Sequence, residues 1–275
     1  MVREYLEAYL IALRRQPFKL MYIDAFAGSG WREARRVGSA ASLLFPELRE
    51  DEPKRFLDGS PRIALQLTKP FDEYVFIEKS RSAFKALGKL KDEFPDLADR
   101  IRLLHGDCNE HLQRLCRETN WQSRRAVVFL DPFATQVAWP TLEAMAATQA
   151  MDTWILWPVM AMNRLLKHSG EVPESWWRCL ERLLGTPEWY SRFYRVGKRT
   201  DLFGQQVEQI EKVADFGALK AFLNERLSSI FADVAGNPRL LRNPHGTPLF
   251  LLCFAAANPR GAPIAKRIAE HILQE

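Results

Sequence analysis

Five short apolar runs alternate along the chain with segments of helical period, and each run halts at a carboxylate, a glycine or a proline. The runs lie at 19–26 (KLMYIDAF), 73–78 (EYVFIE), 101–105 (IRLLH), 124–130 (RRAVVFL) and 153–158 (TWILWP). Read as strands, with helices between them, they require right-handed crossovers and a largely parallel sheet covered on both faces. The fold class expected is therefore α/β, Rossmann-like. The last third leaves this rhythm: 176–184 and 205–231 read as helical, while 239–242 and 249–257 flank Asn243-Pro244-His245-Gly246 as an antiparallel hairpin, followed by a closing helix. With 275 residues and a prior of ~150 residues per domain, one domain over 1–275 is expected, with an insertion at 31–58 and a mainly helical insertion at 160–236.

Composition excludes several classes. A 47% hydrophobic, 27% charged chain is ordinary globular material that needs no metal or disulfide staple. The formal charge of +5 permits contact with nucleic acid without arguing for it. Cys108, Cys116, Cys179 and Cys253 have neither metal-binding nor oxidoreductase spacing, and the five histidines are scattered, so no metal is expected and a reducing cytoplasm fits best. The first eighteen residues place Arg3, Glu4 and Glu7 among apolar neighbours, which reads as an amphipathic helix and not as a signal peptide. No stretch reaches the ~18 apolar residues of a membrane span.

In open α/β sheets ligands bind beyond the carboxyl ends of the strands, so the residues just past each run matter most. The first end is Asp24-Ala25-Phe26-Ala27-Gly28-Ser29-Gly30, a carboxylate followed by glycines that admit a ligand to the backbone, or simply a glycine turn. Glu78 closes the second run as a solvated acid or as an acceptor for the two hydroxyls of a ribose. The third end, His105-Gly106-Asp107-Cys108-Asn109, offers Asp107 as helix cap, as acceptor for an adenine amine, or as both. The fourth, Asp131-Pro132-Phe133-Ala134, places a carboxylate, a proline and an aromatic after a buried strand. Asp131 and the backbone can accept hydrogen bonds from a target amine while Phe133 stacks on its base; the bland alternative is an Asp-Pro turn.

Between the first two runs, 31–58 carries Arg32, Arg35 and Arg36 and leaves the sheet beside the glycines, so it is expected to overlie the ligand crevice. These arginines, with Lys198 and Arg199, are candidates for phosphate contacts or else a solvated basic face. Ser60 and Pro61 open the next helix as cap and first turn. Trp176, Trp177, Trp189 and Tyr190 form a base-stacking surface or, more in keeping with their helical spacing, core.

Together the segments DAFAGSG, DGSPRIAL, FIEKS, LHGDCNE, FLDPFA and LFLLCFAAANPRG resemble the three-Cys-motif partner protein family and, more broadly, class I methyltransferases with an Asp-Pro-Pro-Tyr type motif. The resemblance implies a class I methyltransferase-like sheet with an antiparallel C-terminal strand pair. It implies binding of S-adenosylmethionine (SAM) by Asp24, Phe26, Gly28, Gly30, Glu78, Lys79, Asp107 and Cys108, with Asp131, Pro132 and Phe133 facing the acceptor. The expected activity is SAM-dependent methylation of an exocyclic amine of a nucleobase in DNA or RNA. It further implies a protein partner, a three-Cys-motif protein resembling radical-SAM enzymes. Phe133 follows one proline instead of two, and Ala134 stands where the family more often has glycine. These departures keep open a second reading, a SAM-binding partner subunit without methyl transfer of its own. An NAD-dependent oxidoreductase is disfavoured, because the 24–30 segment lacks the full G-x-G-x-x-G pattern.

Overall fold

Strands buried on both faces need apolar side chains at odd and even positions alike, and the first run shows it. Met21 and Ile23 point into one hydrophobic cluster, Leu20 and Tyr22 into another. The second- and fourth-run strands behave likewise: Val75 and Ile77 oppose Tyr74 and Phe76, and Ala126, Val128 and Leu130 oppose Val127 and Phe129. The sheet thus separates two cores.

The computed structural model describes residues 2–32, 57–132, 135–200 and 206–274. In chain order the elements are α1 (Val2–Leu13), β1 (Lys19–Asp24), β2 (Trp31–Arg32), β3 (Leu57–Asp58), α2 (Ser60–Leu65), β4 (Glu73–Glu78), α3 (Arg81–Leu87), α4 (Leu90–Glu93), β5 (Ile101–His105), α5 (Cys108–Glu118), β6 (Arg124–Leu130), α6 (Trp139–Ala147) and β7 (Met151–Trp157). There follow α7 (Val159–Leu165), α8 (Glu174–Leu184), α9 (Trp189–Phe193), β8 (Tyr194–Thr200), β9 (Gln206–Lys212), α10 (Phe216–Ser228), β10 (Asp233–Val234), β11 (Arg239–Arg242), β12 (Pro248–Ala256) and α11 (Ala262–Gln274).

The main sheet has the order β10-β12-β7-β6-β1-β4-β5, with β11 also on β12. Strands β5, β4, β1, β6 and β7 are parallel; β12 runs antiparallel to β7, and β10 and β11 antiparallel to β12. A parallel sheet with an antiparallel strand inserted near one edge is the arrangement of class I methyltransferases. The chain winds outward from β1 through β4 to β5, then returns to β6 on the other side of β1. That reversal opens a crevice beyond the carboxyl ends of β1 and β6.

On one face, α1 presents Tyr5, Leu6, Tyr9 and Leu10, and packs beside α11, which buries Ala265, Ala269, Ile272 and Leu273. Tyr5 Oη donates to Asp152 at the start of β7 over 2.7 Å, tying this helix to the amino end of the sheet. The other face carries α5, α6, α7, α8 and α10.

Three expectations change. The first strand stops at Asp24, because Ala25 and Phe26 already belong to the turn. Ser60 is not the cap of its helix: Gly59, in extended backbone and without a side chain to cap with, occupies that position, and Ser60 is already helical with its side chain hydrogen-bonded to Asp24. The stretch 205–231 is not one helix, because 206–212 pairs antiparallel with 194–200 before α10 begins. The hairpin expected around 243–246 is present as β11 and β12. At 31–58 the two ends pair, Trp31 with Asp58 and Arg32 with Leu57. The rest of that insertion, including Arg35 and Arg36, lies outside the described residues, as do Phe133, Ala134 and the side chains of Arg32 and Arg199.

Candidate functional site

At the end of β1 the carboxyl group of Asp24 is fully buried. It accepts from the Phe26 N–H at 3.2 Å and from Tyr22 Oη at 3.4 Å, and is hydrogen-bonded to the Ser60 side chain. Burial pushes its pKa up to about 7; hydrogen bonds from Ser60 and Phe26 pull it back, and the negative charge of Asp131 pushes it further up. Asp131 therefore stands within electrostatic reach, as the register requires: Asp24 pairs with Phe129, two residues before Asp131. Two carboxyl groups meet at the switch point of the sheet. An arriving cation would stabilise both in their ionised form.

The glycine turn is bound to the neighbouring strand. Gly28 N–H donates to Glu78 Oε2 at 2.8 Å and Ala27 N–H to the Ile77 carbonyl at 3.0 Å. The other Glu78 oxygen accepts from Ser80 N–H at 2.6 Å, where Ser80 caps α3. Each carboxylate oxygen keeps a second lone pair for a ligand hydroxyl. Gly28 has φ +61°, and a β-carbon there would meet no atom within 4 Å, so its left-handed backbone faces open space. Gly30 differs, because its α-carbon is closed over by the Leu90 side chain.

At the third end, Asp107 caps α5 by accepting from Asn109 N–H at 2.9 Å, and its other oxygen takes Lys79 Nζ at 3.1 Å. Burial works against the charge of this carboxylate, but the Lys79 and Asn109 hydrogen bonds outweigh it and hold its pKa below the ordinary value. Asp107 is therefore both a helix cap and an ionised acceptor with an exposed side. Cys108 sits otherwise: its side chain lies in the core and burial pushes its thiol up to about 12. Phe26 is partly buried against the same core.

Strand pairing brings Asp24, Gly28, Gly30, Glu78, Lys79, Asp107, Asp131 and Pro132 to one sheet edge. The aromatic set Trp177, Trp189 and Tyr190 is packed ring against ring, 4.6 Å separating the first two, with Trp189 wholly buried as core. Among the described residues no group of three His, Cys, Asp or Glu side chains could hold a metal ion, and no helix is long and apolar enough to cross a membrane.

Two residues escaped sequence reasoning. Asn109 makes four side-chain hydrogen bonds, one to Asp107 and three that join α5 to the chain after β6 at Gln136, Ala138 and Thr141. His111 accepts from Arg114 at 2.9 Å through Nδ1, so its Nε2 carries the proton and donates to the His105 carbonyl at 3.0 Å. A β-carbon at Gly106 would lie 2.7 Å from that Nε2, which explains the glycine. The available signal was the polar run Asp107-Cys108-Asn109 at a helix start, where side chains commonly satisfy free backbone groups.

No family model matches the chain, and no curated protein matches it. Solved structures resemble it distantly. A protein from Legionella pneumophila is 15% identical, covering 83% of this chain and 90% of that one, with a TM-score of 0.40. A putative methyltransferase, yhhF, from Escherichia coli is 14% identical over 77% and 86%, with a TM-score of 0.31. The glycopeptide N-methyltransferase MtfA, complexed with SAM, is 12% identical over 91% and 86%, with a TM-score of 0.37. Likeness at this level carries no weight for chemistry, and the fold rests on the strand order itself.

Proposed function

We propose that the protein is a SAM-dependent methyltransferase that acts on an exocyclic amine of a nucleobase in DNA or RNA. The observation that supports this most is the meeting of Asp24, Asp131 and the open Gly28 turn at the switch point of a sheet with this strand order. SAM supplies an electrophilic methyl group on a cationic sulfur together with an amino-acid ammonium, a ribose and an adenine. Asp24, poised near neutrality, takes its charge when the ammonium arrives. The Gly28 turn admits the chain of the ligand, Glu78 accepts from the ribose hydroxyls, and Asp107 accepts from the adenine amine. Asp131 accepts from one N–H of the target amine and so orients its lone pair toward the methyl group; Phe133 stacks on the base. Deprotonation follows attack, and Asp131 or water takes the proton. Alignment carries most of the rate.

The test is calorimetry with SAM, followed by transfer of a tritiated methyl group to tRNA, rRNA and unmodified DNA. The wild-type protein binds SAM and labels one nucleoside; Asp131→Ala keeps cofactor affinity and loses transfer, while Gly28→Val loses the cofactor. No SAM binding by the wild-type protein would overturn the reading. A second reading draws on Ala134 and the single proline of the Asp131 motif. It makes the chain a SAM-binding subunit for a radical-SAM-like three-Cys-motif partner, and predicts that Asp131→Ala retains cellular function.

A further inference from the structure

Asn109 stands between the Asp107 end of the crevice and the segment that leads away from Asp131. Its Nδ2 donates to Asp107 Oδ1 at 3.0 Å and to the Gln136 carbonyl at 2.9 Å. Its Oδ1 accepts from Ala138 N–H at 2.8 Å and from Thr141 Oγ1 at 2.9 Å. The partners fix the amide's orientation: an ionised carboxylate and a carbonyl only accept, and a backbone N–H only donates. Thr141, fully buried, is itself engaged by Gln113 of α5 at 3.0 Å. Ala138 is the cap position of α6 and has no side-chain cap of its own, so Asn109 supplies one from another helix.

The far side of the same segment is held separately. Arg182 of α8 donates to the Thr135 carbonyl at 2.9 Å, and the Cys179 thiol lies 2.9 Å from Thr135 Oγ1. With 135–138 gripped at both ends, Asn109 is the side chain among the described residues that joins Asp107 to it.

We propose that Asn109 is a positioning residue that couples occupancy of Asp107 to the placement of 135–138, and hence of the acceptor side of the site. This rests on the methyltransferase reading above, in which Asp107 receives the adenine amine. A ligand amine competes with the exposed Lys79 for Oδ2 of Asp107 and leaves Oδ1 on Asn109. Exchanging a cationic ammonium for a neutral amine leaves more negative charge on Asp107, which polarises the Asn109 amide and strengthens its bonds to Gln136 and Ala138 relative to the free protein. Asn109 touches neither cofactor nor acceptor in this scheme.

The experiment measures amide hydrogen exchange at 135–138 with and without saturating SAM, in the wild-type protein, Asn109→Asp and Asn109→Ala, with SAM affinity measured by calorimetry for each. In the wild type, SAM slows exchange at 136–138 by roughly two- to thirty-fold, the range that coupling through packed hydrogen-bond networks reaches. Asn109→Asp keeps the oxygen that accepts from Ala138 and Thr141, loses both donors, and turns a second carboxylate oxygen toward Asp107 and the Gln136 carbonyl, so the contact with Asp107 becomes repulsive. It retains slow exchange at Ala138 without SAM and shows no further slowing when SAM binds. Asn109→Ala exchanges fast at Ala138 in both states. A purely structural role predicts the same SAM response in Asn109→Asp as in wild type, and that result overturns the proposal. So does SAM binding to the wild type with no change at 136–138, a measurement that needs no variant to fold. Failure of the wild type to bind SAM instead overturns the functional reading itself.

Discussion

Two buried carboxyl groups set the pH dependence, and they lie at opposite ends of the sheet. Asp152, at the amino end of β7, is pushed up to about 6 by burial, while the Tyr5 hydroxyl and the charge of Arg125 pull it down. Because folding raises this pKa above its ordinary 3.8, the folded state holds the proton more tightly. The resulting stabilisation is complete below the unfolded pKa and is lost as pH rises through about 6. Asp152→Asn keeps the volume and the acceptor for Tyr5 Oη but has no proton to lose. Relative to wild type, the variant therefore gains stability between pH 4 and pH 8, by up to about 3 kcal/mol. Urea denaturation at both pH values measures this; a difference independent of pH would contradict the burial argument. Asp24 follows the same sign with its window reaching about 7, but its neighbour Asp131 and any bound cation couple to it.

At the scale of elements, the β8–β9 ribbon is the part that needs explanation, since a two-stranded ribbon alone is marginal in water. It is fastened at its base. Lys212 spends all three ammonium protons on the C-terminal turn of α7, reaching the Asn163 carbonyl at 3.0 Å, Asn163 Oδ1 at 2.7 Å and the Leu166 carbonyl at 2.9 Å. Tyr194 Oη adds a bond to the Lys167 carbonyl at 2.8 Å, and Val213 N–H one to Phe193 at 2.9 Å. Lys212→Met keeps the aliphatic stem and strands those carbonyls. A loss of roughly 1–3 kcal/mol is expected in thermal denaturation, with faster amide exchange in the flanking strands. An unchanged melting temperature would show that water replaces the ammonium without cost. The sequence reads 205–231 as helical; the structure instead pairs 206–212 with 194–200, placing Ile210 opposite Val196.

For the whole molecule, a charge of +5 from 39 basic and 34 acidic residues is too small to draw a polyanion unless the cations are grouped. The nucleic-acid proposal places that grouping at Arg32, Arg35 and Arg36, on the insertion that leaves the sheet through β2 directly after Gly30. Each phosphate contact contributes about −0.9 to the slope of log affinity against log salt for duplex DNA, or about −0.7 for single strands. Replacing all three arginines with alanine is expected to flatten that slope by roughly two to three units while SAM affinity stays nearly constant. Binding titrations across a salt series measure it. An unchanged slope would remove the insertion from the substrate path.

Strands 73–78, 101–105 and 124–130 coincide with β4, β5 and β6 residue for residue; for β4 and β6, burial on both faces leaves a continuous apolar run that no helix period imitates, while the edge strand β5 is bounded by Gly106. The acidic and glycine residues at their ends were legible for the same reason: a strand that stops abruptly displays what stops it. What Glu78, Ser60 and Asn109 do was not legible. Glu78 reaches Gly28 across fifty residues of chain, Ser60 turns from its own helix to Asp24, and Asn109 grips a segment nearly thirty residues away. Local patterning reports only which way a residue faces relative to its own element. Which polar atom meets which depends on the strand order, and that order is decided by packing two apolar faces at once.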